Sequence, residues 1–261
     1  MLSDAVRIEL ADELELAERD RVAVDPLAAR YPGIDVVDAY EIQLINIRRR
    51  LDGGAKVVGH KVGLSSEAMQ RMMGVDEPDY GHLLAEMEVH DNVSVPADRY
   101  LFPRVEVEVG FVLGADLPGT DCTEQDVLVA TVALAPAIEL IDSRIKDWNI
   151  GLVDTIADNA SSAGFLLGAQ RVAPRDIDIK TIDAVLTRNG EVVAEGRSDA
   201  VLGDPVIAVA WLARKVAGFG VRLKAGDIVL PGSCTRAIDA RPGDAFHAEF
   251  ARLGSVHLQF S

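Results

Sequence analysis

From residue 93 onward, extended segments follow one another at irregular spacing, and only two helical stretches interrupt them. Period-2 alternation or short apolar runs mark strands near 93–95, 104–113, 136–141, 163–168, 182–188, 191–197, 227–231, 245–250 and 255–260. A doubly wound parallel sheet needs a crossover helix between successive strands. This chain has no such rhythm, so the fold class expected is α+β. "LTRNGEVVAEG" reads as a hairpin, because Asn189-Gly190 suits the positive φ angles of a type I′ turn. The two helices are marked by their starts. Thr123 with Asp126 resembles a capping box before "VLVATVAL", and Asp204-Pro205 supplies an N-cap and a first-turn proline before "VIAVAWLARKVAGFG".

The first third has a different period. Ser3 or Asp4 can cap a helix through "AVRIELADELELAERDR", and a second helix is expected from Val36 or Val37 to about Leu51, ended by Gly53-Gly54. A short strand, "KVVGHKVGL", leads into a short helix over "SSEAMQRMMG" that stops at Gly74. "DEPDYGHLL" reads as a loop opened by Pro78 and carrying Asp79, Tyr80 and Gly81.

One strand raises a question. In "PRVEVEVGF", Val105, Val107, Val109 and Phe111 alternate with Arg104, Glu106, Glu108 and Gly110. Glu106 and Glu108 therefore share a face at ~7 Å along the strand, where like charges repel unless water or a cation intervenes. A solvated outer face is the ordinary explanation. Glu139 is harder to dismiss, because "APAIELID" surrounds it with Ile138, Leu140 and Ile141. A buried carboxylate there must take a salt bridge, to Arg144 or Arg104, or bind a cation. Three glutamates on neighbouring strands would make an all-oxygen site suited to Mg²⁺ or Mn²⁺.

Other chemistries are poorly served. The formal net charge of −16 and the lack of a basic stripe argue against nucleic acid. Cys122 and Cys234 make neither a disulfide framework nor a thiolate metal site. The five histidines lack zinc spacing, and Ser233 in "PGSCT" has no evident His partner. No Gly-x-Gly-x-x-Gly follows a strand, and no apolar run reaches membrane-spanning length. The acidic amphipathic opening is unlike a signal peptide, so a cytoplasmic location is expected. Hydrophobic residues at 49% and charged ones at 26% fit a globular chain.

The remaining motifs are polar residues beside glycines. "GHKVGLSS" sets Lys61 between Gly59 and Gly63, where a ligand or another backbone can approach closely. "DNASSAGFLLG" runs Asn159, Ser161 and Ser162 into a strand, as a connection or as carboxylate donors, and "LPGSCTRAID" is similarly ambiguous. Taken together, "GHKVGLSS", "GVDEPDYGHLL", "FPRVEVEVGFVLG", "PAIELIDSRIKDW", "DTIADNASSAGFLLG" and "LPGSCTRAIDARPGDAF" resemble the 2-hydroxypenta-2,4-dienoate (2-keto-4-pentenoate) hydratases. Those belong with the 4-oxalocrotonate decarboxylases in the fumarylacetoacetate hydrolase superfamily. The resemblance runs nearly the whole length, in order, and looks nearest to actinobacterial members of steroid catabolism that act on the methyl-extended hexadienoate.

What the resemblance implies is a helical region over 1–75, a mixed β-roll catalytic domain over 76–261, and a divalent metal held by Glu106, Glu108 and Glu139. It implies a homo-oligomer, pentamer or decamer, able to associate with a pathway decarboxylase or aldolase. It further casts Lys61 as acid/base or carboxylate cation and Asp79 as the group orienting or deprotonating water. Ser161, Asn159 and Ser233 would hydrogen-bond the substrate carboxylate, and Leu84 and Val109 would make apolar contacts, unless Val109 faces the core with Val105. The sister decarboxylase, an acylpyruvate hydrolase with a His–Glu pair, and a non-catalytic subunit are the alternatives.

Overall fold

The structure is a computed structural model that describes residues 1–66, 70–71, 74–91 and 93–261. The helix expected over 65–74 falls largely on residues outside that set. Helix α1 (Asp4–Asp20) starts where Ser3 Oγ accepts the Val6 N–H, and it buries a stripe of Leu10, Ala11, Leu14 and Ala17. After the short α2 (Leu27–Arg30), α3 (Val36–Asp52) opens with an Asp35–Asp38 capping box. Asp38 also accepts Arg7 Nη2 at 2.7 Å, and Asn46 Nδ2 donates to the Ala11 carbonyl at 2.8 Å. These bonds clamp α1 along α3, because the buried Asp38 needs a partner.

Two sheets carry the rest. The first runs β2 (Asp79–Leu84), β1 (Val57–Gly63), β9 (Ile228–Leu230), β4 (Arg104–Leu113), β5 (Thr131–Ile141), β6 (Ser162–Leu167), with β10 (Ile238–Asp239) also paired to β4. The second runs β3 (Ser94–Val95), β12 (Gly254–Phe260), β11 (Ala245–Phe250), β7 (Asp183–Arg188), β8 (Glu191–Arg197). Helices α4 (Glu124–Ala130), α5 (Leu152–Ala157) and α6 (Pro205–Ala217) complete the α+β arrangement. Strand β1 comes from the N-terminal side of the expected division near residue 75, yet it pairs in parallel with β9 inside the first sheet.

The main core lies between the two sheets. Val105, Val107, Val109 and Phe111 of β4 join Ile138 and Leu140 of β5 there, with Phe246, Phe250 and Phe260 of the second sheet. Each such side chain contributes about 1.5–3 kcal/mol on burial. Asn189 and Gly190 both have positive φ, 54° and 86°, as the expected hairpin turn requires.

Helix α5 is a third helix among the strands where two were expected, and two further expectations need correction. Asp79, Tyr80 and Gly81 lie in strand β2 rather than in a loop, paired antiparallel to β1 from Gly63↔Asp79 to Val57↔Leu84. All six β2 residues are buried, so no polar face alternates to betray the strand. The helix through "VLVATVAL" stops at Ala130, and Thr131 starts β5 five residues earlier than expected. The β4–β5 ladder extends to Leu113↔Thr131, and its pairing overrides the local helical pattern.

Candidate active site

The β4–β5 register sets Glu106 directly opposite Glu139, with Glu108 two residues along on the same face. That face is the reverse of the one Val105, Val107 and Val109 send into the core, so Val109 makes no contact on the glutamate side. One carboxylate oxygen from each glutamate lies within 4.8 Å of the others. Burial pushes the Glu106 carboxyl up to about 7, further raised by Glu139 and Asp79 against the pull of Lys61. Burial and then Glu139 and Glu106 raise Glu108 well above the usual carboxylate range, and burial raises Glu139 too.

The protein answers this charge in part. Lys61 Nζ stands 3.4 Å from Glu139 Oε2, Ser162 Oγ donates to Glu139 Oε1 at 2.8 Å, and the Gly232 N–H donates to Glu108 Oε2 at 2.7 Å. Glu108 Oε1 is buried without a hydrogen-bond donor, and Glu139 Oε2 has only the ion pair with Lys61. Neither Arg144 nor Arg104 is Glu139's partner. Arg144 pairs with Asp158, and Arg104 with Asp239 at 2.9 Å. With Asp79 also acting on Lys61, four carboxylates face one ammonium, and one oxygen from each glutamate is close enough to the others to share an ion. A divalent cation fits that set, and its hard, all-oxygen donors suit Mg²⁺ or Mn²⁺ better than zinc.

Lys61 reaches Glu139 only because the sheet curls. Strands β1 and β5 stand three ladder steps apart, about 14 Å in a flat sheet at ~4.8 Å per step. Burial opposes the Lys61 charge, but Glu139, then Glu106, Asp79 and Glu108, outweigh it and hold the ammonium protonated. Lys61 also donates to the Ala160 carbonyl at 3.0 Å.

The two flanking glycines have definite jobs. A Cβ on Gly59 would lie 2.0 Å from the Ile228 carbonyl oxygen, and one on Gly63 would lie 2.2 Å from Asp79 Oδ1 and 3.4 Å from Lys61 Nζ. The close approach expected around Lys61 is thus made by β9 and by Asp79. Asp79 is buried with neither carboxylate oxygen in a well-formed hydrogen bond, and burial raises its pKa against the pull of Lys61 and weaker contacts with the Thr155 side chain and the Gly63 backbone.

The other expected residues divide into two groups. Ser161 is buried with its hydroxyl unpartnered, next to the Ala160 carbonyl that holds Lys61. Leu84 joins Ile47, Leu83, Met87, Ala137, Phe165 and Leu230 in a second apolar cluster. Of these, Leu83, Ala137, Phe165 and Leu230 are cross-strand partners of Gly59, Glu108, Glu139 and Lys61, so they share the carboxylate face. Asn159 and Ser233 are engaged by backbone. The Asn159 amide accepts from His82 N at 2.8 Å and donates to His82 O at 3.0 Å, while Ser233 Oγ accepts the Val107 N–H at 3.2 Å. Ser162, offered by the sequence as a connection or a carboxylate donor, donates to Glu139, whereas the Ala160 carbonyl and the Gly232 amide were not assigned from sequence. The two backbone groups carry no residue-type signal at all.

A buried ion pair anchors the turn behind Lys61. Arg144 binds the Asp158 carboxylate through Nε and through its backbone N–H at 2.9 Å, and its Nη1 reaches the Asp142 carbonyl at 2.7 Å. Burial pushes Asp158 up to about 7 even with Arg144 against it. Arg144→Met should therefore strand a buried carboxylate and lower the unfolding free energy by about 3–5 kcal/mol in urea titration. A loss under ~1 kcal/mol would show the pair to be dispensable.

A curled mixed sheet that gathers three buried glutamates, a lysine and an aspartate gives the chain the donor set of an enzyme built around a divalent cation. Residues 69–261 match the family model described as fumarylacetoacetate (FAA) hydrolase C-terminal, and the chain belongs to that family. It is 42% identical over 254 residues to a 2-keto-4-pentenoate hydratase of Paraburkholderia xenovorans (strain LB400), covering 97% of this chain and 94% of that one. It is 39% identical over 263 residues to a 2-hydroxyhexa-2,4-dienoate hydratase of Comamonas testosteroni, covering 100% of both. Among solved structures, 4-oxalocrotonate decarboxylase from Pseudomonas putida G7, complexed with magnesium and adipate, superposes with a TM-score of 0.96 at 35% identity, over 100% of this chain and 99% of that one.

Proposed function

We propose that this enzyme hydrates 2-hydroxy-2,4-dienoates of the pentadienoate or hexadienoate type to 4-hydroxy-2-keto acids. The observation that carries the reading is the placement of Lys61 and the unpartnered Asp79 on paired strands beside the three-glutamate centre. Glu106, Glu108 and Glu139 would hold Mg²⁺ or Mn²⁺. Such a cation, when bound, supplies Lewis acidity toward the substrate's carboxylate and 2-oxygen.

The protein's own groups supply the proton movements. Ketonisation takes the proton from the 2-hydroxyl and places one on C5, giving a 2-keto-3-enoate that is electrophilic at C4. Lys61, as an ammonium within the carboxylate cluster, is assigned as the acid/base for that transfer, or as the cation that pairs with the substrate carboxylate. Asp79 is assigned to orient water and take its proton as the oxygen bonds to C4, with a proton delivered to C3. The Ser161 hydroxyl, which has no partner among the protein's own groups, is assigned to donate to the carboxylate end. Leu83, Phe165 and Leu230, fully buried on the carboxylate face with Leu84 in the same cluster, are assigned to the alkyl end of the dienoate, and the methyl-extended hexadienoate of steroid-ring catabolism is assigned with the pentadienoate as substrate.

His60 and His82 alternate away from Lys61 and Gly81 onto the far side of β1 and β2. Burial lowers His60 well below its usual range and His82 to about 4, so both stay neutral. That placement gives no support to a water-activating His–Glu pair of the acylpyruvate hydrolase kind. We also assign a cytoplasmic homo-oligomer, pentamer or decamer, able to associate with a pathway decarboxylase or aldolase. The exposed Val129 and Val132 around the α4–β5 junction are apolar surface that assembly could cover. Among the described residues no helix is long and apolar enough to cross a membrane.

The likeness to the decarboxylase makes it the second reading, and products separate the two. Incubated with Mg²⁺ and freshly generated 2-hydroxypenta-2,4-dienoate, the enzyme should form 4-hydroxy-2-ketopentanoate. With 4-oxalocrotonate it should release little CO₂. Efficient CO₂ release from 4-oxalocrotonate would reverse the assignment.

A further inference from the structure

We infer that Asn159 is a positioning residue for Lys61: its amide fastens the 159–161 turn to strand β2 and so fixes the carbonyl on which the lysine ammonium rests. The inference rests on the reading of Lys61 as the acid/base group. Asn159 Oδ1 accepts the His82 N–H at 2.8 Å and Nδ2 donates to the His82 carbonyl at 3.0 Å. This two-way bond replaces a neighbouring strand for that residue of β2. The turn it holds has three successive non-glycine residues at positive φ, Asn159 at 53°, Ala160 at 51° and Ser161 at 54°. Such a run persists only where its surroundings determine it.

The turn sits over the cross-strand pair Lys61↔Gly81. A Cβ on Gly81 would lie 2.4 Å from the Asn159 carbonyl oxygen and 3.1 Å from its Oδ1. The missing side chain lets the turn descend until the Ala160 carbonyl accepts from Lys61 Nζ at 3.0 Å. Asn159 thus works on the backbone, and the ammonium receives the result. With both amide groups bonded to His82, its part in the site is to hold the lysine rather than to grip the substrate carboxylate.

Three measurements decide this. Asn159→Ala should lower kcat by about tenfold or more while moving KM by less than about threefold, since the substrate is still bound but the proton-moving group is misplaced. Mg²⁺ affinity, measured calorimetrically without substrate, should stay within about threefold of wild type. In a Lys61→Ala background the same change should cost less than about twofold more, because the group it positions is gone. Gly81→Ala, which pushes the turn from the opposite side, should give the same kcat-only loss. If Asn159→Ala does not fold, Asn159→Asp keeps the size and sets an oxygen against the His82 carbonyl, and should show that pattern instead. A rise in KM, or a loss that multiplies with Lys61→Ala, would make Asn159 a substrate ligand and overturn the inference. If wild type fails to hydrate the dienoate, the preceding functional reading fails by itself. The positioning role is then decided by the rate at which a small acylating reagent labels Lys61, read by mass spectrometry. Labelling about threefold faster in the variant supports it, and equal labelling overturns it.

Discussion

Stripped of divalent cations by excess chelator, the enzyme should lose turnover, and titration with Mg²⁺ or Mn²⁺ should restore it. The reason is electrostatic. Glu106, Glu108 and Glu139 sit within 4.8 Å of one another on a largely buried face, and one lysine cannot balance them together with Asp79. Glu106→Gln or Glu139→Gln should weaken cation binding by more than the ~10–100-fold typical of losing an outer partner of a metal ligand. A second consequence needs no turnover. Without metal at neutral pH, Glu108→Gln should unfold at a higher temperature than wild type, because burial beside Glu139 and Glu106 makes the native state either take up a proton at Glu108 or hold it charged, and an amide does neither. With saturating Mg²⁺ the order should reverse, since bound ligand stabilises the native state in proportion to its affinity. Full activity in chelator, with metal removal verified by elemental analysis, would sink this account.

The second large effect separates Lys61 from Asp79. Lys61→Ala should impair ketonisation and hydration together, because alanine can neither move a proton nor pair with a carboxylate. Asp79→Asn preserves shape in a space that Gly63 leaves open for it, but an amide cannot take a proton from water. That variant should still exchange deuterium from heavy water into C5 while forming little 4-hydroxy-2-keto acid. Loss of a placed general base costs ~10²–10⁴-fold in rate, well beyond assay noise. Near wild-type hydration by Asp79→Asn would reduce Asp79 to a packing residue. Parallel loss of exchange and hydration would show that the two roles are not separable.

Much of this architecture was legible because β4 alternates cleanly. Its valines face a core and its glutamates do not, and that pattern survives in any sheet with two unlike faces. Glu139 was legible for the opposite reason, as a charge in an apolar run. Strand β2 was hidden, because a strand buried on both faces and opened by Pro78 has no period to read. The first half of β5 was hidden as well, since its residues follow a helix without a break and pairing with β4 decides their conformation. Arg144, a few residues along the chain, and Arg104, on the Glu106 strand, were reasonable partners for Glu139. The lysine that takes the place comes from three strands away, and only the curl of the sheet discloses that. Likewise, sequence offers the Asn159 side chain as a ligand donor, and only the position of the His82 backbone shows where its hydrogen bonds go.

The insertion of β9 between β1 and β4 has a consequence for how the chain reaches its native state. Residues 228–230 bridge strands that begin at residues 57 and 104, pairing Lys61 with Leu230 and Phe111 with Val229. Until that late segment is available, the strand bearing the lysine is tied to the strands bearing the glutamates only through β2, the 159–161 turn and β6, with no ladder joining β1 to β4. The centre therefore cannot nucleate early, and contacts of such long sequence separation make folding slow. A nascent chain still lacking β9 carries every carboxylate of the site with its cation unplaced. Divalent metal should consequently bind weakly during synthesis and tightly only once the sheet has closed, so that the cation locks the last step of folding rather than guiding the first.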